Sequence, residues 1–267
     1  MGHSMGGAAG AVLIFLFGLA IGSFLNVVRY RLPRGLDIVA GRSACPGCGR
    51  PIAWYDNVPI VSFVALGRKC RRCGWKIPWI YPAIEGATGL TFLLIWLNAS
   101  PNEIGPYFVF GALAIACAGI DFERRIIPNA LTLPGVVLGA IFSFTLLKQP
   151  TFAGSLLRLV LGVVIGGGSL WLVAVLYKLV RKIEGMGLGD VKFMAMVGAF
   201  LGWGEALLTI FIGSVVGAVV GIFAMRRSGK GLKTDLPFGV FLAPAAIAVM
   251  IWGSRFIRWY AGLMAGR

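Results

Sequence analysis

The chain has 267 residues, of which 58% are hydrophobic and 13% charged, and its 39 glycines compare with roughly 19 at average usage. A soluble globular domain carries about a quarter charged residues, so this composition excludes one. Uncharged apolar runs recur at lengths able to cross the ~30 Å hydrocarbon core, and the net charge of +15 must be read by its distribution before any acidic partner is invoked.

Hydropathy in windows of about 19 residues predicts eight membrane spans, near 9–28, 82–98, 104–120, 127–147, 156–177, 193–204, 206–225 and 238–254. The sixth is short and holds Gly198 and Gly202, so seven spans with a re-entrant segment is the alternative. The first run has basic residues after it and no basic stretch before it, which reads as a retained span and not a cleavable signal. Twenty of the 25 lysines and arginines fall in the segments following the first, third, fifth and seventh spans. Lys148, Arg158, Arg255, Arg258 and Arg267 are left on the other side. The positive-inside rule makes the crowded side cytoplasmic and places both termini outside. The charge thus orients the chain and attracts anionic headgroups; nucleic acid is not an expected partner.

The expected fold is an all-α polytopic membrane protein with a small cytoplasmic insert. It divides into a first helix over 1–28, a four-cysteine domain over 29–81 and a membrane core over 82–267. The insert holds Cys45-Pro-Gly-Cys48 and Cys70-Arg-Arg-Cys73. Each CxxC turn aims two thiolates at one point, and a tetrahedral zinc ion needs two such turns. Two disulfides or four free thiols are the other readings; a reducing compartment weighs against the first and the paired spacing against the second. Gly47, Gly49 and Gly74 are expected to allow the tight turns. Cys117, alone in the third span, reads as a packing residue.

Only ten carboxylates occur, which makes their positions informative. Most fall in loops. Asp121 ends the apolar run of the third span, and Asp190 in Gly187-Leu-Gly189-Asp190-Val-Lys192 opens the sixth, both at the cytoplasmic face by the charge count. Either one alone reads as a helix cap or interfacial charge. Two carboxylates sharing a partly dehydrated site cannot both ionise, so one keeps its proton while the other activates water, the division of labour of aspartic proteases. The single histidine, His3, stands in the terminal stretch MGHSMGG, and the acid pair needs no nucleophilic side chain.

Several motifs occur in order along the chain. They are Gly22-Ser-Phe-Leu-Asn26-Val-Val-Arg29-Tyr-Arg-Leu-Pro33, the two CxxC pairs, Trp54-Tyr-Asp-Asn57-Val-Pro59-Ile-Val-Ser62, Tyr81-Pro82-Ala-Ile-Glu85, Asp121 with Ile127-Pro128-Asn129, and Gly187-Leu-Gly189-Asp190-Val-Lys192. Together they resemble the prepilin peptidases, intramembrane aspartyl proteases of the GxGD type from type IV pilus and type II secretion systems. The resemblance implies that Asp121 and Asp190 are catalytic, supported by Gly187, Gly189 and Lys192. It also implies an enzyme of the bacterial inner membrane that removes the basic leader of prepilins or pseudopilins at the cytoplasmic face. The pilus or secretion machinery is then an indirect partner. Longer members carrying the cysteine domain, here Cys45, Cys48, Cys70 and Cys73, also methylate the new N-terminal residue with S-adenosylmethionine. Glu85 is the candidate acid for that second site, its other reading being an interfacial charge paired with basic loop residues. Where the family often has Pro-Phe-Gly-Pro, this chain reads Pro237-Phe-Gly-Val240, a change expected at a backbone turn away from the acids. A transporter using intramembrane carboxylates is the competing class; it predicts acids near mid-bilayer and duplicated broken helices. A third reading is a catalytically retired scaffold that holds a secretion complex through its zinc domain, which the intact aspartate motifs oppose.

Overall fold

A computed structural model describes residues 7–147, 149–182, 187–228 and 237–264. His3, Lys148, Glu184, Lys230, Lys233, Asp235 and Arg267 lie outside these residues. The described residues contain helices and two isolated β-bridges but no strand, and six of the helices are long and apolar enough to cross a membrane. The chain is a multi-pass membrane protein that divides into two compact units, 1–99 and 100–267.

The first unit is built on α1 (Gly7–Arg31) and α3 (Ile80–Asn98), with the short α2 (Val61–Ala65) in the connecting segment. Small residues bring the two long helices together. A Cβ on Gly18 would lie 2.7 Å from Cα of Gly89, and one on Gly22 would lie 2.6 Å from Cα of Glu85. Backbone therefore meets backbone along this seam, with Phe92 and Ile95 filling the space beside it. The helix α1 continues through Arg29 and Arg31, past the end of the apolar run. Arg29 is buried against the Tyr81 ring, while Arg31 donates to the carbonyls of Asp37, Ala40, Gly41 and Arg42.

The second unit contains α4 (Pro101–Arg124), α5 (Asn129–Thr145), α6 (Phe152–Arg181), α7 (Leu188–Leu201), α8 (Trp203–Ser228) and α9 (Gly239–Met264). Ser100 and Glu103 form a capping box at the start of α4, with Pro101 at its first helical position. The helix α7 is the core of the unit. Phe193, Met194, Met196, Val197 and Phe200 have no exposed surface, as expected for a helix that is apolar all round and packed between others. Its neighbours approach through glycine: α6 meets it where Gly162 faces Gly198, and α5 where Gly135 faces Met196 and Gly139 faces Ala199.

Five of the eight expected spans, 9–28, 82–98, 104–120, 156–177 and 206–225, fall within one helix; 127–147 overruns α5 at both ends, 238–254 begins one residue before α9, and 193–204 is divided by the break at Gly202 between α7 and α8. The α7 helix begins at Leu188, so Asp190 lies in its first turn. It ends at Gly202, whose φ of +101° favours glycine, and α8 starts at the next residue. At 14 residues α7 is a helix of its own and not a loop, yet its length of about 21 Å is less than the hydrocarbon thickness.

Candidate active site and metal centre

Asp121 is carried by the last turn of α4, which runs on through Phe122-Glu-Arg124 before the left-handed Arg125 ends it. It is 5% exposed. A carboxylate here faces the negative end of its own helix dipole. The start of α9 is arranged against it: the amides of Gly239 and Val240 are directed at the Asp121 carboxylate. A Cβ on Gly239 would lie 2.8 Å from Oδ2 of Asp121. That oxygen is buried and has no hydrogen-bond partner among the described residues. The expectation that the Pro237–Val240 turn lies away from the acids is therefore overturned. The turn is remote in sequence, but the packing of α9 against α4 brings it onto the carboxylate.

Asp190 is half-buried in the first turn of α7. The segment between α4 and α5 joins the two motifs. Ile127 is buried, with its backbone and Cβ against Gly189, where an added Cβ would approach Ile127 Cβ to 3.0 Å. Its Cδ1 would lie 2.8 Å from a Cβ on Gly239. Two residues on, Asn129 Oδ1 accepts a hydrogen bond of 2.9 Å from Lys192 Nζ. Asp121, Asp190, Gly187, Gly189 and Lys192 are thus gathered at one end of the second unit. Ile127, Asn129 and Gly239 complete the surround; the first two were visible in sequence as part of a motif, whereas Gly239 carried no signal of its proximity.

In the first unit the four cysteine sulfurs lie within 4.8 Å of one another. The Cys45 and Cys73 sulfurs are 3.7 Å apart. Tetrahedral zinc with bonds of about 2.3 Å needs sulfurs about 3.8 Å apart, so this pair already has the required edge. The two turns are near copies. Gly49 N–H donates to Cys45 O and Gly74 N–H to Cys70 O, with φ of +69° and +72° at the two glycines. Ile52 N–H donates to Ser43 O and Ile77 N–H to Arg68 O, closing each loop. The N–H groups of Arg72 and Cys73 are directed at the Cys70 sulfur, an arrangement that favours the thiolate a metal requires. Gly47 serves differently from its neighbours. It has no left-handed backbone, and a Cβ there would meet the Trp75 ring at 2.7 Å, so its bare backbone is the platform on which the second turn packs. Asp56, one of the loop carboxylates, forms a two-pronged pair with Arg71, with contacts of 2.7 to 3.2 Å.

Glu85 is 8% exposed on α3, and its Oε2 accepts the Ile60 N–H at 2.8 Å. Ile60 has φ +60°, which is costly for a β-branched residue and holds only where surrounding structure imposes it. Glu85 lines a cavity of about 460 Å³ with Ser23, Asn26, Tyr55, Tyr81 and the inner faces of the cysteine turns.

The comparisons with known proteins agree with this geometry. Residues 16–99 match the Bacterial Peptidase A24 N-terminal domain, and residues 108–222 match the Type IV leader peptidase family. A protein of Pseudomonas aeruginosa named prepilin leader peptidase/N-methyltransferase is 38% identical, the match covering 92% of this chain and 91% of that protein. Proteins of the same name from Pseudomonas putida and Aeromonas hydrophila are 34% and 33% identical, with at least 91% of each chain covered. No solved structure matches. The chain belongs to the type IV leader peptidase family.

Proposed function

We propose that this chain is a prepilin leader peptidase of the bacterial inner membrane and also an N-methyltransferase. Its substrates are prepilins or pseudopilins, cut at the cytoplasmic face on the orientation set by the loop charges. The observation that supports the reading is that Ile127 packs against both Gly189, the neighbour of Asp190, and Gly239, which abuts Asp121, so that both acids lie at one end of the second unit. A transporter would be expected to hold its acids near the bilayer centre, where this unit instead has the dry α7 core.

In the proposed reaction one aspartate holds a proton against the scissile carbonyl oxygen while its ionised partner takes a proton from water. The hydroxide adds to the carbonyl carbon. When the tetrahedral adduct collapses, the C–N bond breaks and the amine nitrogen takes up a proton from the pair. The Gly239 and Val240 amides orient Asp121, while the Lys192–Asn129 bond and the Ile127–Gly189 contact fix the α7 start that carries Asp190. Replacing either aspartate with asparagine should abolish leader removal while the protein still inserts and melts normally. Cleavage at the original rate in either variant would refute the pairing.

The methyl-transfer reading rests on the first unit. Its cavity lies in the size range of small-molecule sites and combines aromatic rings with the Glu85 carboxylate, suited to orienting an amine. We assign the methyl donor S-adenosylmethionine to this cavity; when bound it supplies the methyl group. Zinc, held by Cys45, Cys48, Cys70 and Cys73, is structural in this scheme and folds the 29–81 insert that walls the cavity.

A further inference from the structure

The end of the second unit opposite the aspartates holds a separate cavity of about 470 Å³ that leader-peptidase chemistry does not use. It is built where α4, α6 and α8 begin, where α7 ends, and against the middle of α9. Its charged lining is Arg158, Glu103 and Glu205, with Tyr107 among them. The phenol feels the charge of all three.

Arg158 is only partly committed. Its Nη2 donates to the carbonyls of Phe200 and Leu201 at 2.9 and 3.1 Å, capping the end of α7, whereas Nη1 is buried and has no hydrogen-bond partner among the described residues. A buried guanidinium donor without an acceptor is costly and calls for an anionic group in the cavity. Glu103 already accepts from Ser100 N–H and Oγ, and Glu205 has its Oε2 near Gly202, which Arg158 Nε also approaches. Among the described residues one cation stands beside two carboxylates, so an anion on Arg158 alone would leave the carboxylates without a counter-charge. A group bearing both a phosphate and an ammonium is the complement. The rim points to the source of such a group: Leu157 and Trp203 line the cavity and are more than half exposed or close to it, an aliphatic and an indole at membrane-interface level.

We propose that this cavity binds the headgroup of an amine-bearing zwitterionic phospholipid, the phosphate on Arg158 Nη1 and the ammonium between Glu103 and Glu205. The acyl chains leave past Leu157 and Trp203. By the loop charges this is the outer leaflet, and occupancy ties the middle of α9 to the ends of α4, α6, α7 and α8.

The test uses the full chain, purified and delipidated in detergent, with bound lipid counted by native mass spectrometry and thermal stability followed during titration. Phosphatidylethanolamine should bind and raise the melting temperature more than phosphatidylglycerol, which lacks the amine, or phosphatidylcholine, whose ammonium cannot donate hydrogen bonds. Glu205→Gln, which leaves the α7 cap intact, and Arg158→Gln should each weaken phosphatidylethanolamine binding about tenfold, the size of one charge-assisted hydrogen bond. Ser254→Trp, which fills the cavity from its rim, should do the same without touching a charge. Equal binding of the three lipids, or unchanged binding in Glu205→Gln and Ser254→Trp, would overturn the proposal. Free phosphoethanolamine binding as tightly as the lipid would also overturn it, by assigning a soluble ligand.

Discussion

Gly239 lies so close to Asp121 that a single methyl group on it would sit 2.8 Å from the carboxylate oxygen Oδ2 and equally close to Ile127 Cδ1. Both neighbours are buried, so neither moves aside cheaply. Gly239→Ala should therefore displace the carboxylate by several tenths of an ångström and lower prepilin cleavage by about 100-fold, with a modest fall in melting temperature. Measured cleavage within a few fold of the original would mean that the start of α9 does not position Asp121.

Lys192 and Asn129 form one exposed hydrogen bond between α7 and α5, and they are expected to act as a unit. Lys192→Met and Asn129→Ala should each reduce kcat/KM about fivefold, corresponding to roughly 1 kcal/mol for one such bond. The double variant should be no slower than either single one. Multiplicative losses would show that the residues contribute separately.

Removing the metal should unfold part of the first unit and spare the second. Chelation, or Cys45→Ser with Cys70→Ser, should remove one zinc per chain and expose 43–77 to protease. Methyl incorporation should fall further than leader cleavage. Full zinc content and full methylation in the double variant would contradict the assignment.

Glu85→Gln preserves the shape of the side chain and its bond from Ile60 N–H but removes the charge. Methyl transfer should drop at least tenfold while cleavage of the same prepilin stays unchanged, and a parallel loss of both activities would argue for a purely structural carboxylate.

The glycines of α6 differ sharply in what they tolerate. Gly162 faces the Gly198 backbone directly, so Gly162→Leu should cost about 3 kcal/mol or more and deplete folded protein on size-exclusion chromatography. Gly168 has only Val164 at 4.0 Å, and Gly168→Ala should leave the melting temperature unchanged or raise it slightly.

What could be read in advance follows the range of the interaction. The cysteine cluster was legible because ligand spacing within each turn is a local property, and two matching turns name the geometry they need. The spans were legible because each is a continuous apolar run. Helix ends were less so: hydropathy stops at Ile120, but Asp121-Phe-Glu-Arg124 continues α4, since backbone hydrogen bonding does not require apolar side chains. Gly47 and Gly239 were beyond reach for a different reason. Each is needed because of a partner distant in sequence, Trp75 in one case and Asp121 in the other, and a missing side chain carries no trace of what occupies its place.

The buried length of α7 has an electrical consequence. Hydrolysis requires water at one end of the second unit, and the cavity around Arg158 is polar at the other. Between them run Phe193, Met194, Met196, Val197 and Phe200, without exposed surface or an ionisable group. On the proposed assignment water reaches the acids from one end only, and the buried stretch of α7 offers no ionisable side chain to relay a proton between the two ends.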